Sequence, residues 1–430
     1  MNYRHIVAIL VAILALSAHC QNTIYGSVCD SDTEQEVPYA AIHIENTTKG
    51  TYCNEAGQFV LHTPKGMENA QVIISSLGYC SDTVKVKTLI RHKGKVYLKT
   101  TANLLKTVEI TEYATARDLM KAVIERIPKN YRIEPAIGIW YCKNHQMVNN
   151  RDFVKSEGMI RSYLLPYNDN STYYLHGSPG TDRWEEDVYR YCQSLDTIIV
   201  YDSTYWRNLL GVKKLDTVFD LEGYSKPSNH FETIALDFVK TAVWRSTQNF
   251  LFSKKSSFSM ETLDQDGKRY YRVNVTSTFK HLGKDGTITR RFLINKDDLA
   301  IVEMEHIFPK QEYFALEDKL FRKYKKYYKS KMLYRKIHFR YFRYDGEYQL
   351  GHIHYEYEYR IDFGEETKKI GCKTPRITLR NVEDCILTEY SREGVEEYRR
   401  RYVDNDHPLT EENIKETERI LRQPRSMMPW

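Results

Sequence analysis

The chain has 430 residues, among them 34 tyrosines, and a formal net charge of +6. Its length suits two or three domains, and its tyrosine content favours extended β structure over helix bundles, because tyrosine suits a half-wet pleated surface. The charge is small for this length, so its distribution along the chain matters more than its sum.

The first 20 residues (1–20) predict a secretory signal peptide. After a short cationic start, an apolar run from Ile6 to Ser17 covers about a dozen residues, which is too short for a bilayer span. Small residues precede Gln21, where we expect cleavage. Lipidation of Cys20 is the less favoured alternative, because His19 is bulky where such a site has Gly or Ala. We therefore expect an exported protein that is periplasmic or associated with the outer membrane.

Residues 21–101 predict a small β-sandwich. Short alternating segments recur roughly every 8–12 residues without a helical period. Turns that end in Gly50 and Gly57 separate some of them, and glycine can take the positive φ that such turns require. The predicted strands are Thr23–Cys29, Ala40–Glu45, Gly57–His62, Gln71–Ser75, Thr83–Val86 and Lys95–Lys99.

Three stretches of this region carry a family pattern: GSVCD (26–30), VPYAAIHIENTTKGTYCNEAGQFVL (37–61) and VIISSLGYCSDTVKV (72–86). They resemble the carboxypeptidase regulatory-like domain, a transthyretin-like β-sandwich common at the front of exported and outer-membrane proteins of Gram-negative bacteria. The resemblance implies a module without catalytic residues of its own. The residues that match the family pattern include Gly26, Asp30, Gly50, Asn54, Gly57, Phe59, Gly78 and Tyr79.

Gly78 and Tyr79 stand side by side where one predicted strand ends. We expect Gly78 to supply a bend or bulge in the backbone. Tyr79 then packs its ring over the edge of the core, while its hydroxyl finds a backbone partner or water. The pair is therefore predicted to be architectural.

Residues 102–135 predict a connector that consists of a strand, Leu104–Ile110, and a helix. Thr115 begins the helix, and Asp118 three residues later makes a start that resembles a capping box. Pro128 and the two residues Asn130-Tyr131 end it. One apolar face follows at helical spacing, formed by Ala116, Leu119, Met120, Val123 and Ile127.

Residues 136–400 predict a large antiparallel sheet or half-barrel with a few helices on its concave side. Asp-Gly pairs between alternating runs predict hairpins at 266–267, 285–286 and 345–346. The segment FLINKDDLAIVEMEH (292–306) resembles strand pairs that line an apolar cavity in lipoprotein carriers. The stretches 203–225 and 231–247 look helical or irregular, and residues 401–430 predict a charged helical tail. The clearest predicted strands are Gly138–Met147, Phe153–Leu165, Thr287–Asn295 and Leu299–Ile307.

A basic segment, 319–343, contains eleven Lys or Arg residues and no Asp or Glu. Basic residues interleaved with aromatic ones are typical of single-stranded nucleic-acid grooves, but an exported protein rarely meets nucleic acid, so we expect no such partner. One face of the predicted strand is a solvated cationic face or a surface for anionic lipid headgroups or acidic glycans. That face carries Lys336, His338 and Arg340, and the opposite, core face carries Ile337, Phe339 and Tyr341.

The run GHIHYEYEYR (351–360) is the best metal candidate, because His-x-His places two imidazoles within reach of one ion. The same spacing is also typical of the solvent-exposed side of an amphipathic strand. Side chains on that side can pair with those of the basic strand that precedes it. We therefore expect no metal and no cofactor. The side chains on the shared face are His352, His354, Glu356 and Glu358.

Motifs of catalysis are missing: the sequence has no G-x-S-x-G, H-E-x-x-H, P-loop or G-x-G-x-x-G. The cysteines after Cys20 are scattered singly, which predicts mostly free thiols or one bridge among them. We therefore expect a non-enzymatic binding or scaffolding protein of the cell envelope. Its expected partner is an envelope protein, a lipid or a glycan, with peripheral contact to a membrane. The alternatives are a periplasmic lipid or lipoprotein carrier with a half-barrel cavity and a hydrolase without a local motif.

Overall fold

The computed structural model describes most of 22–100, 113–167, 192–201, 237–308, 328–365 and 374–400, with gaps at 39, 46, 48–49, 55, 64, 77–78, 243–244, 266–267, 279–285 and 345. The chain divides into two compact units, the first from residue 1 to 102 and the second from residue 103 to 424. Several predicted features lie outside the described residues: the signal peptide with Cys20, Gly78, the strand 104–110, the stretch 203–225 and the tail 401–430.

The described part of the first unit contains seven short strands. They are β1 (Asn22–Asp30), β2 (Ala41–Ile44), β3 (Gly50–Tyr52), β4 (Gln58–Thr63), β5 (Gln71–Ser75), β6 (Asp82–Lys85) and β7 (Lys95–Leu98). One sheet has the order β4-β1-β7 and the other the order β3-β2-β5-β6. β1 pairs with β4 in antiparallel and with β7 in parallel orientation. Apolar side chains from both sheets form one buried cluster, so the predicted sandwich is confirmed.

Two elements of the first unit differ from the prediction. The short strand β3 has no counterpart among the predicted strands. Helix α1 (Val86–Arg91) begins where we expected the strand Thr83–Val86 to end, and no side chain caps its first turn. Val86 and Leu89, one helical turn apart, are fully buried in the core. Burial of these two side chains therefore selects the helix, although the local sequence lacks a start signal.

Steric crowding explains why the sandwich has glycine at three positions. A Cβ atom on Gly26 would lie 2.3 Å from the carbonyl oxygen of Gly94, and one on Gly57 would lie 2.6 Å from that of Val28. Gly57 also has a φ of 65°, in the left-handed region that favours glycine. A Cβ on Gly50 would lie 2.9 Å from the carbonyl oxygen of Ile42. These positions therefore need glycine because strands and turns approach closely there.

Asp30, Asn54, Phe59 and Tyr79 also hold the sandwich together. The Asp30 carboxylate accepts the backbone N–H groups of Asp32 and Thr33, each at 2.8 Å. The Asn54 side chain accepts two backbone N–H groups in its own turn, and Phe59 is 1% exposed. Tyr79 packs against the core edge as predicted. Its hydroxyl bonds the Asp30 carboxylate.

The second unit is built on one antiparallel sheet. Ten strands of the described residues form it, in the order β10-β9-β8-β17-β16-β15-β14-β13-β12-β11. The strands are β8 (Ala136–Val148), β9 (Arg151–Leu164), β10 (Cys192–Tyr201), β11 (Ser256–Gln265), β12 (Lys268–Thr278), β13 (Thr287–Asn295), β14 (Ile301–Phe308), β15 (Tyr328–Tyr344), β16 (Glu347–Phe363) and β17 (Arg376–Ser391). The predicted large antiparallel sheet is therefore confirmed, and β11 to β17 lie side by side in chain order.

Four helices accompany the sheet within the described residues: α2 (Ala116–Asn130), α3 (Phe238–Ala242), α4 (Arg245–Leu251) and α5 (Val395–Tyr398). The Thr115 hydroxyl accepts the N–H of Asp118 at 3.1 Å and donates to its carboxylate at 2.7 Å, as predicted for this helix start. The whole predicted apolar face of α2 is buried. It packs, with side chains of α3 and α4, into one core with residues of the sheet such as Trp140, Phe339 and Ile353. We call this side of the sheet the inner face.

Two further observations concern the chain as a whole. Of the helices that the structure describes, none combines the length and the apolar character that a membrane crossing requires. Cys29, Cys53, Cys80, Cys142 and Cys385 are thiols and form no disulfide.

Candidate functional site

Strand β15 has the two faces that its alternation predicts. Ile337, Phe339 and Tyr341 are 2%, 1% and 3% exposed and belong to the core on the inner face. Because side chains alternate along a strand, Lys336, His338 and Arg340 lie on the opposite side, which we call the outer face.

Each of these three basic residues contacts a glutamate from the neighbouring strand β14. Lys336 Nζ lies 2.5 Å from Glu305 Oε1, and His338 Nε2 lies 3.2 Å from Glu303 Oε2. Arg340 Nε lies 3.4 Å from the other oxygen of Glu303. The side chains of His338 and Arg340 are only 13% and 12% exposed, whereas Lys336 is 38% exposed. The cationic face is therefore largely neutralised by carboxylates of this chain.

The histidines of β16 continue the same outer-face cluster. His352 Nε2 and His354 Nδ1 lie 3.2 Å and 2.9 Å from one oxygen of Asp384, which β17 supplies. His354 stands directly opposite His338 in the strand register. Glu356, by contrast, accepts hydrogen bonds from Arg380 and Tyr334, and Glu358 stands in register with Arg380. Among the described residues, no three His, Cys, Asp or Glu side chains are grouped so that they could hold a metal ion.

Burial and charge set the protonation states of this outer-face cluster. Burial lowers the pKa of His352 to about 4, although Asp384 opposes the shift. Burial also lowers the pKa of His338. For Glu303, burial would raise the pKa, but Arg340 and His338 outweigh it and lower the value to about 2. At neutral pH, Glu303 is therefore ionised, and His338 and His352 are neutral.

The inner face carries a second polar group of residues, which sequence analysis did not identify. One row of cross-strand neighbours runs over six strands, from β13 to β8, through Arg290, His306, Ile337, Tyr355, Glu383 and Asn144. The next row contains Arg335, Tyr357, Asn381 and Gln146. We call the polar and aromatic members of these two rows the inner polar belt.

The amide end of the belt is buried and incompletely bonded. Asn144, Gln146 and Asn381 are 4%, 1% and 2% exposed. The Asn144 side-chain amide donates to Asn381 at 2.9 Å, but the Asn144 Oδ1 and Gln146 Oε1 atoms have no hydrogen-bond partner. Buried polar groups in folded proteins bond to protein, water or ligand. The belt therefore offers polar atoms that call for a bound partner.

The cationic end of the belt shows the same feature. Arg290 is 5% exposed, and its Nε and Nη1 atoms have no hydrogen-bond partner. Its guanidinium lies 4.6 Å from the ring centroid of Phe250 in α4. The neighbouring His306 has a buried Nε2 without a partner, and its ring stacks on Phe308 with centroids 4.0 Å apart. Burial lowers the pKa of Arg290 to about 10, so the guanidinium remains charged at neutral pH.

A third buried group surrounds Asp237 and is fully bonded. Its carboxylate accepts the hydroxyls of Tyr167 at 2.8 Å and Tyr341 at 2.7 Å, and the N–H of Val239 at 3.1 Å. Burial raises the pKa of Asp237. Since both of its oxygens have donors, we assign the group a structural role that links the start of α3 to β15.

The pairing register explains why sequence analysis found only part of these sites. Arg290 and Asn144 stand in one row, although 146 positions separate them along the chain. In the sequence alone, each residue of the belt looks like an ordinary residue of an alternating strand. The one local signal was polar residues at core-facing positions, such as Asn144 and Gln146 in the strand AIGIWYCKNHQMV.

Comparison with known proteins identifies the first unit. Residues 24–110 match the family model described as the CarboxypepD_reg-like domain. The N-terminal region is therefore a CarboxypepD_reg-like domain, and the resemblance seen in its sequence is confirmed. No curated protein matches the chain.

Two solved structures show weak similarity. A LolA superfamily protein from Nitrosomonas europaea is 7% identical, with a TM-score of 0.18, over 64% of this chain and 95% of that chain. A protein of unknown function from Bacteroides fragilis is 9% identical, with a TM-score of 0.15, over 86% of this chain and 98% of that chain. At these TM-scores, neither similarity defines the fold of the second unit.

Proposed function

We propose that this chain is a non-enzymatic, exported protein of the cell envelope that binds a ligand through the inner polar belt of its second unit. The observation that carries the proposal is the set of buried, unpartnered polar atoms on Asn144, Gln146, Arg290 and His306. An unsatisfied buried polar atom costs free energy, and a site that binds a polar ligand regains that cost in the complex. The CarboxypepD_reg-like domain then serves as a rigid interaction module.

The packing of the helices favours a binding or scaffolding body over a half-barrel carrier. Helices α2, α3 and α4 occupy the apolar part of the inner face with their own side chains. A carrier for lipid chains needs that apolar surface for its cargo. Export itself rests on the pattern of residues 1–20, and N-terminal sequencing of the mature chain should begin near Gln21.

Native mass spectrometry of the full chain tests ligand binding. Protein purified without detergent from exporting cells should carry an adduct that is lost on denaturation. The double variant Asn144→Leu/Gln146→Met should lose the adduct, whereas Lys143→Met, on the outer face of the same strand, should keep it. The proposal fails if the wild type has only the mass of the bare chain, even after incubation with an extract of envelope lipids and small molecules.

A further inference from the structure

We propose that Arg290, together with His306 and Arg335, binds the anionic group of an amphiphilic ligand, a carboxylate or phosphate attached to an aliphatic or aromatic body. This inference rests on the proposed function, because it names the class of ligand that the inner polar belt takes. Its starting point is Arg290, a buried guanidinium with two unpartnered nitrogens. In the part of the chain that the structure describes, no carboxylate forms an ion pair with it.

An unpaired buried charge is rare in proteins, because desolvation of an ion is costly without a counterion. The acid of the same row, Glu383, stands four strands away from Arg290, which corresponds to about 15–20 Å at the usual strand spacing. It is too distant to neutralise the guanidinium. A ligand anion supplies the missing charge and accepts from the fork of N–H donors that arginine presents to carboxylates and phosphates.

The neighbours of Arg290 strengthen the preference for an anion. His306, directly opposite on β14, is held neutral by burial and by the positive charges of Arg290 and Arg335. A neutral imidazole can donate a hydrogen bond from Nε2. The guanidinium of Arg335 lies 4.6 Å from the Phe308 ring centroid and 5.2 Å from that of Tyr355. Two cations and one neutral donor group therefore lie within two adjacent rows.

The surroundings of this cationic end favour an amphiphile over a small free anion. Aromatic rings of Phe250, Phe308 and Tyr355 flank the two guanidinium groups. These three rings are only partly buried, whereas the next row along the strands, which contains Phe292 and Phe339, is packed in the core with the helices. A ligand that places its charge at Arg290 therefore has aromatic surface beside it for its body.

Calorimetric titration of the full chain with decanoate, decanol and inorganic phosphate tests the inference. The wild type should bind decanoate at least about tenfold more tightly than decanol or phosphate, as expected for a charge-assisted bond in a dry site. The variant Arg290→Gln should bind decanoate no more tightly than decanol. The matched control Arg291→Gln, at the next position but on the outer face with a side chain 53% exposed, should keep it.

Thermal melting separates a binding role of Arg290 from a structural one. Because an unpaired buried charge destabilises the ligand-free protein, Arg290→Gln should melt at the same temperature as the wild type or higher. A clear drop in melting temperature, or equal binding of decanoate and decanol by the wild type, overturns the anion site. If phosphate binds as tightly as decanoate, the proposal that the ligand is an amphiphile is wrong. If decanol also binds and Arg290→Gln changes nothing, ligand binding stands without the anion site; if no adduct and no probe binds, the proposed function fails as well.

Discussion

At the scale of single residues, close approach of backbone segments decides which positions tolerate a side chain. Gly57 and Gly66 both have positive φ, 65° and 85°. A Cβ on Gly57 would meet the Val28 carbonyl oxygen, which accepts the N–H of Val37 at 2.9 Å. A Cβ on Gly66 would meet nothing within 4 Å. Substitutions at these two glycines therefore separate the free-energy cost of steric crowding from the free-energy cost of a positive φ.

We expect Gly57→Ala to destabilise the first unit more than Gly66→Ala. The positive φ should cost about 1 kcal/mol in both variants, and crowding should add about 1–3 kcal/mol at Gly57 alone. Hydrogen exchange of residues 22–100 in the full chain measures the difference as faster opening. Equal exchange in the two variants would show that the turn relaxes around the new methyl group.

At the scale of elements, the ion pairs between β14 and β15 predict unequal effects of two substitutions that each remove one positive charge. Arg340→Gln removes the main cation from Glu303, whose side chain is 18% exposed, and should destabilise the second unit by about 3 kcal/mol. Lys336→Gln removes a more exposed partner of Glu305 and should stay within about 1 kcal/mol. Denaturant unfolding, followed by tryptophan fluorescence, measures both, because residues 22–100 contain no tryptophan. Similar losses for the two variants would contradict this account.

The anionic-ligand surface at Lys336, His338 and Arg340 stays a prediction, and Lys336→Gln is the suitable variant for it. If the surface binds lipid headgroups, the wild type should cosediment with anionic vesicles at low salt and release at high salt, because exposed charges are screened over about 8 Å near physiological ionic strength. Lys336→Gln should weaken the association. If the wild type does not cosediment with such vesicles at low salt, the hypothesis is wrong.

Local sequence was sufficient where local chemistry decides the structure. The capping residues Thr115 and Asp118 identified the start of α2, and strand β13 (Thr287–Asn295) was predicted to the residue. Helix α1 was missed because only its packing against the core selects it. The inner polar belt and the Glu303 and Asp384 contacts were missed because strand register brings together residues from distant parts of the chain. The alternation of side chains along a strand predicts the face on which a side chain lies, but it does not identify its neighbours on the adjacent strands.

At the scale of the whole molecule, buried histidines make stability depend on pH. The pKa of His352 is about 4 in the folded chain, below the ordinary value of about 6.5. The unfolded chain therefore binds protons that the folded chain does not, and stability should fall as pH drops from about 6.5 to about 4. His338 and His306 shift in the same direction. The contribution of Glu303, whose folded pKa is about 2, is lost at still lower pH, below about 4.5.

Denaturant unfolding at pH 7, 5.5 and 4.5 measures this dependence. The loss attributable to His352 should be about 3 kcal/mol at most, because its folded pKa of about 4 lies below the ordinary value of about 6.5. His352→Gln should lower stability at pH 7 but flatten its decline towards pH 4.5. A decline of the same slope in wild type and variant would assign the acid sensitivity to other groups.

The parallel pairing of β1 with β7 has a mechanical consequence for the first unit. These are the first and last strands of the sandwich, and they pair side by side from Ser27 with Lys95 to Asp30 with Leu98. Tension applied between residue 22 and residue 98 pulls the two strands along their axes in opposite directions. All hydrogen bonds of this ladder then carry the load together, in shear, instead of opening one after another. Force transmitted along the chain through both ends of this domain is therefore resisted at the two strands through which it enters.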